Sequence, residues 1–169
     1  MSDARDTLLA HVHEEPGAHF NAIVRATDLA PGQVQHHARR LVDAGVVVRE
    51  EVSGRTHYFP SEYDAFERGV VALARRETAR DLLSILLEDG PTRPADAADA
   101  VGVARSTLEH HLDGLVAADV VEKQRDARNR VTLALRDPEV TASLLADVHP
   151  GTVDRFVDRF ETLVDDLLD

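Results

Sequence analysis

The chain contains a second copy of itself. At an offset of 74 residues, 8–47 lies on 82–121 without a gap: Leu8-Leu9 on Leu82-Leu83, Glu14 on Glu88, His36-His37 on His110-His111, Leu41-Val42 on Leu115-Val116, and Val46-Val47 on Val120-Val121. Roughly 12 identities in about 40 positions is about three times what this composition gives by chance. The matches fall where apolar periodicity places the interior. With 169 residues to distribute, the repeat points to a small unit built twice, followed by a tail.

The first unit reads as helix, helix, helix, hairpin. Leu8, Leu9 and Val12 give residues 5–13 one apolar face, and Pro16-Gly17 ends that helix. Phe20, Ile23 and Val24 point inward from a short helix over 19–26. The turn Thr27-Asp28-Leu29-Ala30 leads to Pro31, which a helix tolerates in its first turn. That third helix runs over 31–44 and ends at Gly45, with Val34, Ala38, Leu41 and Val42 as its apolar stripe. Strands over 46–51 and 56–59 join at Ser53-Gly54-Arg55. The second unit repeats the order with helices over 78–88, 94–100 and 105–118 and strands over 120–124 and 130–135. Between the units, Tyr63, Phe66, Val70 and Leu73 form a helical stripe in 61–76, which either runs on into the next helix or breaks near Arg76. Helices over 139–147 and 152–168 follow. The expected organisation is 1–60, 61–76, 77–137 and 138–169, in a mainly α chain with small β-hairpins (α+β).

Opposite its apolar stripe the third helix carries Gln33, His36, His37 and Arg40, at spacings i, i+3, i+4 and i+7. This face is rich in hydrogen-bond donors and nearly free of acids. Gln and Arg make bidentate contacts to adenine and guanine edges, and His or Gln bonds phosphate. Gln35, Arg39, Arg49, Arg55 and His57 are placed to hold phosphates from the helix flank and the hairpin. The alternative is a solvated polar face that serves only protein contacts.

The run Pro31-Gly32-Gln33-Val34-Gln35-His36-His37-Ala38-Arg39-Arg40-Leu41, preceded by Glu15-Pro16-Gly17-Ala18-His19-Phe20 and followed by Gly45-Val46-Val47-Val48-Arg49, resembles archaeal winged helix-turn-helix transcriptional regulators of the ArsR/MarR-like type. It is similar in particular to the tandem winged-helix regulators of haloarchaea. The resemblance covers nearly the whole chain and is least specific in the tail. It implies a third helix in the major groove, a hairpin wing on the backbone or minor groove, and outer helices that form a dimer.

Charge qualifies this reading. The chain has 31 acids and 19 bases, a net charge of −12, and Lys123 is its one lysine. An acid excess with Arg in place of Lys suits a protein working in multimolar salt, where screening acts over about 3 Å. Residues 137–169 hold 9 of the acids and 2 Arg, so more than half of the excess lies in the tail and the first polar helix face is spared. The second unit departs there: Gln35, Arg39 and Arg40 become Glu109, Asp113 and Gly114. Acids beside phosphate weaken binding, so unit one is expected to read bases. Unit two either grips the backbone, through Arg105, Thr107, His110, Arg125, Arg128 and Arg130, or has become a scaffold.

Other classes find less support. Without cysteine there is no disulfide, thiolate-zinc site or thiol switch. Nine histidines raise the question of a metal sensor, but adjacent pairs on a helix point about 100° apart and the spacing of metal-binding helices does not occur. No phosphate loop or nucleophile elbow is found, so neither enzyme activity nor a cofactor is expected. Nothing resembles a signal peptide or membrane span, which favours a cytoplasmic protein. In 152–168, Val153, Phe156, Val157, Phe160, Leu163, Val164 and Leu167 form a seam suited to homodimerisation. The expected function is a sequence-specific, homodimeric regulator of transcription on double-stranded DNA; a tandem winged-helix adaptor for proteins is the alternative, and a small-molecule effector is left open.

Overall fold

The structure, a computed structural model, describes residues 3–149. In chain order it comprises α1 (Ala4–Glu14), β1 (Ala18–His19), α2 (Phe20–Thr27), α3 (Pro31–Asp43), β2 (Val47–Val52), β3 (Arg55–Pro60), α4 (Ala65–Ala74), α5 (Glu77–Asp89), α6 (Pro94–Val101), α7 (Arg105–Ala117), β4 (Val121–Arg125), β5 (Val131–Leu135) and α8 (Pro138–Val148). Among the described residues the expected elements are present, with bounds shifted by one or two residues except in the segment expected over 61–76, where α4 begins only at Ala65. The chain divides between Ala72 and Leu73 into two units. Each is a winged helix-turn-helix: three helices and a β-hairpin.

Unit one begins with α1, capped by the Asp3 carboxylate, which accepts from the Asp6 N–H at 2.8 Å. Gly17, at φ 81°, turns the chain into β1, a two-residue strand not anticipated from the sequence. It pairs antiparallel with β3, Ala18 opposite Tyr58, giving a sheet of order β1-β3-β2. His19 was expected inside the second helix but instead caps it, Nδ1 accepting from the Ala22 N–H at 3.3 Å. The β2–β3 hairpin closes on Ser53 (φ 48°) and Gly54 (φ 79°), a two-residue turn whose twist matches the strands. Arg55, expected in that turn, lies in β3 opposite Val52. Leu8, Val12, Ile23, Val34, Ala38, Leu41, Val47 and Tyr58 make the core beneath the hairpin.

Unit two uses the same plan. At the offset of 74, the buried Leu8, Val12, Ile23, Val34, Ala38, Leu41 and Val47 correspond to Leu82, Leu86, Ala97, Leu108, Leu112, Leu115 and Val121, also buried. Two of the changes offset each other in size. Ile23 on α2 goes with Ala38 on α3, whereas Ala97 on α6 goes with Leu112 on α7, so the bulk moves between helices that pack together in each unit. The role of β1 falls to one bridge, Thr92 opposite Leu133, at the positions matching Ala18 and Tyr58. The β4–β5 turn spans residues 126–130, making this hairpin one residue longer than the first.

Residues 61–88 form two helices, α4 ending at Ala74 and α5 beginning at Glu77, with extended backbone at Arg76 (φ −89°, ψ 125°). The division between units falls inside α4, within the segment expected as a linker. α4 and α8 hold corresponding places after their hairpins, so the repeat extends one helix further than the identities showed. The expected helix over 152–168, with Val153, Phe156, Val157, Phe160, Leu163, Val164 and Leu167, lies outside the described residues.

Candidate nucleic-acid interface

The sequence of α3 separates its two faces. Val34, Ala38 and Leu41 are buried, and the same three-and-four spacing leaves Gln33, Gln35, His36, Arg39 and Arg40 exposed. With Pro31 at its first position, α3 has a free amide at Ala30, and the Gln33 side chain folds back to accept from it at 3.1 Å. Gln33, expected to read a base, is thus engaged in capping its own helix. His37 is half-buried with its Nδ1 enclosed and lacking a hydrogen-bond partner among the described residues. Its ring meets His36 edge to face, centroids 5.0 Å apart.

Gln35, Arg39 and Arg49 come together. They line an open groove of about 640 Å³ between α3 and the hairpin, with Phe20, Ala38, Val42 and Tyr58 as apolar lining and Asp43 and Thr56 completing it. Arg55 is exposed at the hairpin tip. Among the described residues, Arg39, Arg40, Arg49 and Arg55 form no ion pair. The hairpin acid next to Arg49 is neutralised: Glu50 is ion-paired with Arg68 of α4, whose Nη1 also donates to the Tyr63 carbonyl at 2.6 Å. The groove therefore presents cations that remain free to meet an anion.

His57 does not join them. It was expected to hold phosphate from the hairpin, but it is only 2 % exposed, and its Nδ1 lies 2.6 Å from the Gly17 carbonyl. A carbonyl only accepts, so Nδ1 carries the proton and the ring ties β3 to the corner after α1. The reason is strand pairing: β1 lies against β3 at His57 and Tyr58, and the His57 ring is buried. Alternation along the hairpin alone did not reveal this, because β1 has too few residues for a sequence pattern.

In unit two, Arg105, Lys123, Arg125 and Arg130 are engaged within the unit. Glu109 accepts from Arg105 Nε at 3.2 Å and from Lys123 Nζ at 3.4 Å. Arg125 Nη1 reaches the Asn129 side chain at 3.1 Å, and Arg130 Nε meets Asp126 at 2.7 Å. The Asp126 carboxylate also accepts from the backbone N–H groups of Arg128 and Arg130, each at 2.9 Å. The Arg130 amide first, with the help of its guanidinium, holds the Asp126 carboxyl below its ordinary range. Arg128, Thr107 and His110 are exposed. His111 repeats the environment of His37, with an enclosed Nδ1 that has no hydrogen-bond partner among the described residues and an edge-on neighbour, His110, at 5.4 Å. Burial, followed by the charges of His110 and Arg76, pushes its pKa down.

Residues 2–71 match a family profile described as an N-terminal HTH domain, and residues 73–124 match one described as a helix-turn-helix domain. The chain therefore carries two helix-turn-helix domains in tandem, which supports a DNA-binding regulator in general terms. Comparison with curated proteins gives no match. Among solved structures, the mRNA-binding domain of elongation factor SelB from E. coli, in complex with SECIS RNA, aligns over 81 % of this chain and 100 % of its own, at 18 % identity and a TM-score of 0.34. No helix among the described residues is long and apolar enough to cross a membrane.

Proposed function

We propose that the protein is a sequence-specific regulator of transcription that binds double-stranded DNA through its first unit. The observation that carries this reading is the convergence of Gln35, Arg39 and Arg49 on one groove beside an exposed His36 and Arg40, with no intramolecular ion pair on those arginines among the described residues. α3 enters the major groove with His36 and Arg40 toward base edges. Arg39 and Arg49 grip backbone phosphate from the flanking groove, and Arg55 extends the grip from the wing. The seam expected in 152–168 pairs two copies, so that two half-sites are read together. The acid excess suits a protein that does this at high salt, and the cytoplasm is where it meets its operator.

The test is a gel-shift titration, in molar KCl, of the DNA upstream of its own gene against a scrambled duplex. Wild-type protein retards the upstream fragment preferentially, as two chains per duplex. Arg40→Ala weakens that complex by roughly 1–3 kcal/mol and narrows its preference over the scrambled duplex, while Arg39→Ala weakens both duplexes alike. Equal retardation of the two duplexes by wild type, or an Arg40→Ala protein with undiminished affinity, defeats the assignment of α3.

A further inference from the structure

The two units differ most where the helix faces the wing. At the offset of 74, Gln35, Arg39, Arg40 and Arg49 correspond to Glu109, Asp113, Gly114 and Lys123. Unit one therefore places three cations at these positions, whereas unit two places two acids and one cation. The acid Glu109 also occupies a particular place. It spans from α7 to Lys123 on β4 at 3.4 Å and takes Arg105 at 3.2 Å, across the very interval that Gln35 and Arg49 leave open in unit one. A phosphate approaching the second interval meets a carboxylate already holding the two nearest cations, with Asp113 exposed one helical turn further on.

We propose that Glu109, assisted by Asp113, is the determinant that confines DNA contact to the first unit, by bridging the second helix–wing interval with its hold on Lys123 and Arg105. This rests on the reading of unit one given above. The bridge acts by charge more than by stability. Its partners are partly exposed, side-chain exposures being 34 % for Glu109, 40 % for Lys123 and 56 % for Arg105, and pairs of that kind add little to folding. They matter to an anion because each must be broken, and the freed carboxylate repelled, before a phosphate can bind.

Full-length variants titrated with a mixed-sequence DNA duplex over a range of KCl concentrations test this, since backbone contact needs no operator. Arg49→Gln and Lys123→Gln alter equivalent positions, so their effects compare the units directly. The expectation is a roughly 5- to 10-fold loss for Arg49→Gln and less than a 2-fold change for Lys123→Gln. Glu109→Gln combined with Asp113→Arg restores the unit-one residues at two of the four positions. It tightens binding by about 10-fold or more and steepens the slope of log affinity on log salt by about 1–2, near 0.9 for each phosphate gained. Circular dichroism establishes that each variant is folded. A loss with Lys123→Gln that equals the loss with Arg49→Gln overturns the proposal, as does a folded double variant with wild-type affinity and slope. If Arg49→Gln is silent while the double variant gains binding, the reading of unit one fails and confinement to that unit fails with it, whereas the exclusion of phosphate from the second unit by Glu109 stands.

Discussion

Substituting His57 separates a structural role from a nucleic-acid contact. In the wild-type protein the ring donates to the Gly17 carbonyl at 2.6 Å, while the Gly17 N–H donates to the Tyr58 carbonyl at 2.8 Å. Both polar groups of a buried glycine are thus held by adjacent residues of β3. His57→Leu keeps most of the volume and removes the donor, leaving a buried carbonyl unsatisfied at a cost of about 1–3 kcal/mol. His57→Ala also opens a cavity and brings the loss into the range of about 2–5 kcal/mol. Against a total stability of roughly 5–15 kcal/mol, even the leucine variant should melt on the order of 10 °C lower. Thermal and urea unfolding followed by circular dichroism measure the loss, and DNA titration well below the new melting temperature measures binding by the folded protein. The expectation is reduced stability with DNA affinity within about twofold of wild type, since the ring is enclosed on the side away from the groove residues Arg39 and Arg49. A leucine variant as stable as wild type but weakened on DNA to the extent of Arg49→Gln would show that His57 reaches phosphate and that the buried hydrogen bond is immaterial.

The exchange of bulk between the units supplies its own test. Ala38→Leu should destabilise by about 1–3 kcal/mol through overpacking and Ile23→Ala by about 2–5 kcal/mol through a cavity, while the double variant, which copies Leu112 with Ala97, should lie within about 1.5 kcal/mol of wild type. Additive losses in urea titrations would refute the compensation. Stability should also depend on pH through His111, whose proton affinity in the folded state is below that of an ordinary imidazole. Below about pH 6.5 the unfolded chain takes up a proton that the folded chain resists, so stability is complete above that pH and declines as pH falls through the window toward the lowered native value. Urea midpoints at about pH 5.5 and about pH 7.5 should draw together in His111→Asn; an unchanged difference would place the pH dependence elsewhere.

The architecture was legible because two kinds of signal agreed. Leu8, Val12, Val34 and Leu41 fall at helical spacing, and each meets an aliphatic residue 74 positions on (Leu82, Leu86, Leu108 and Leu115), so one pattern confirmed the other. The same periodicity placed Gln35, Arg39 and Arg40 outward, and the structure shows them exposed. Local competition and remote pairing were harder to read. Gln33 has the chemistry of a base reader, but the free amide at Ala30 lies within its reach and captures it. His57 has the pattern of an outward strand residue, but a two-residue strand pairs with it at His19, 38 positions earlier, and the Gly17 carbonyl takes its ring. Glu109 stood out as an acid where Gln35 was expected; that it bridges to Lys123 required the register of β4.

The two hairpins also show where this fold accommodates change in length. Their bases are equivalent, anchored by Ala18 opposite Tyr58 in one and Thr92 opposite Leu133 in the other. Their tips are not: two residues close the first and five close the second, where Asp126 gathers the amides of Arg128 and Arg130. The anchored base isolates the core from the tip, so insertions and deletions there alter only how far a basic side chain extends. Reach is therefore an adjustable dimension of the molecule, independent of the residues that fold it, and a single polypeptide already samples two settings of it.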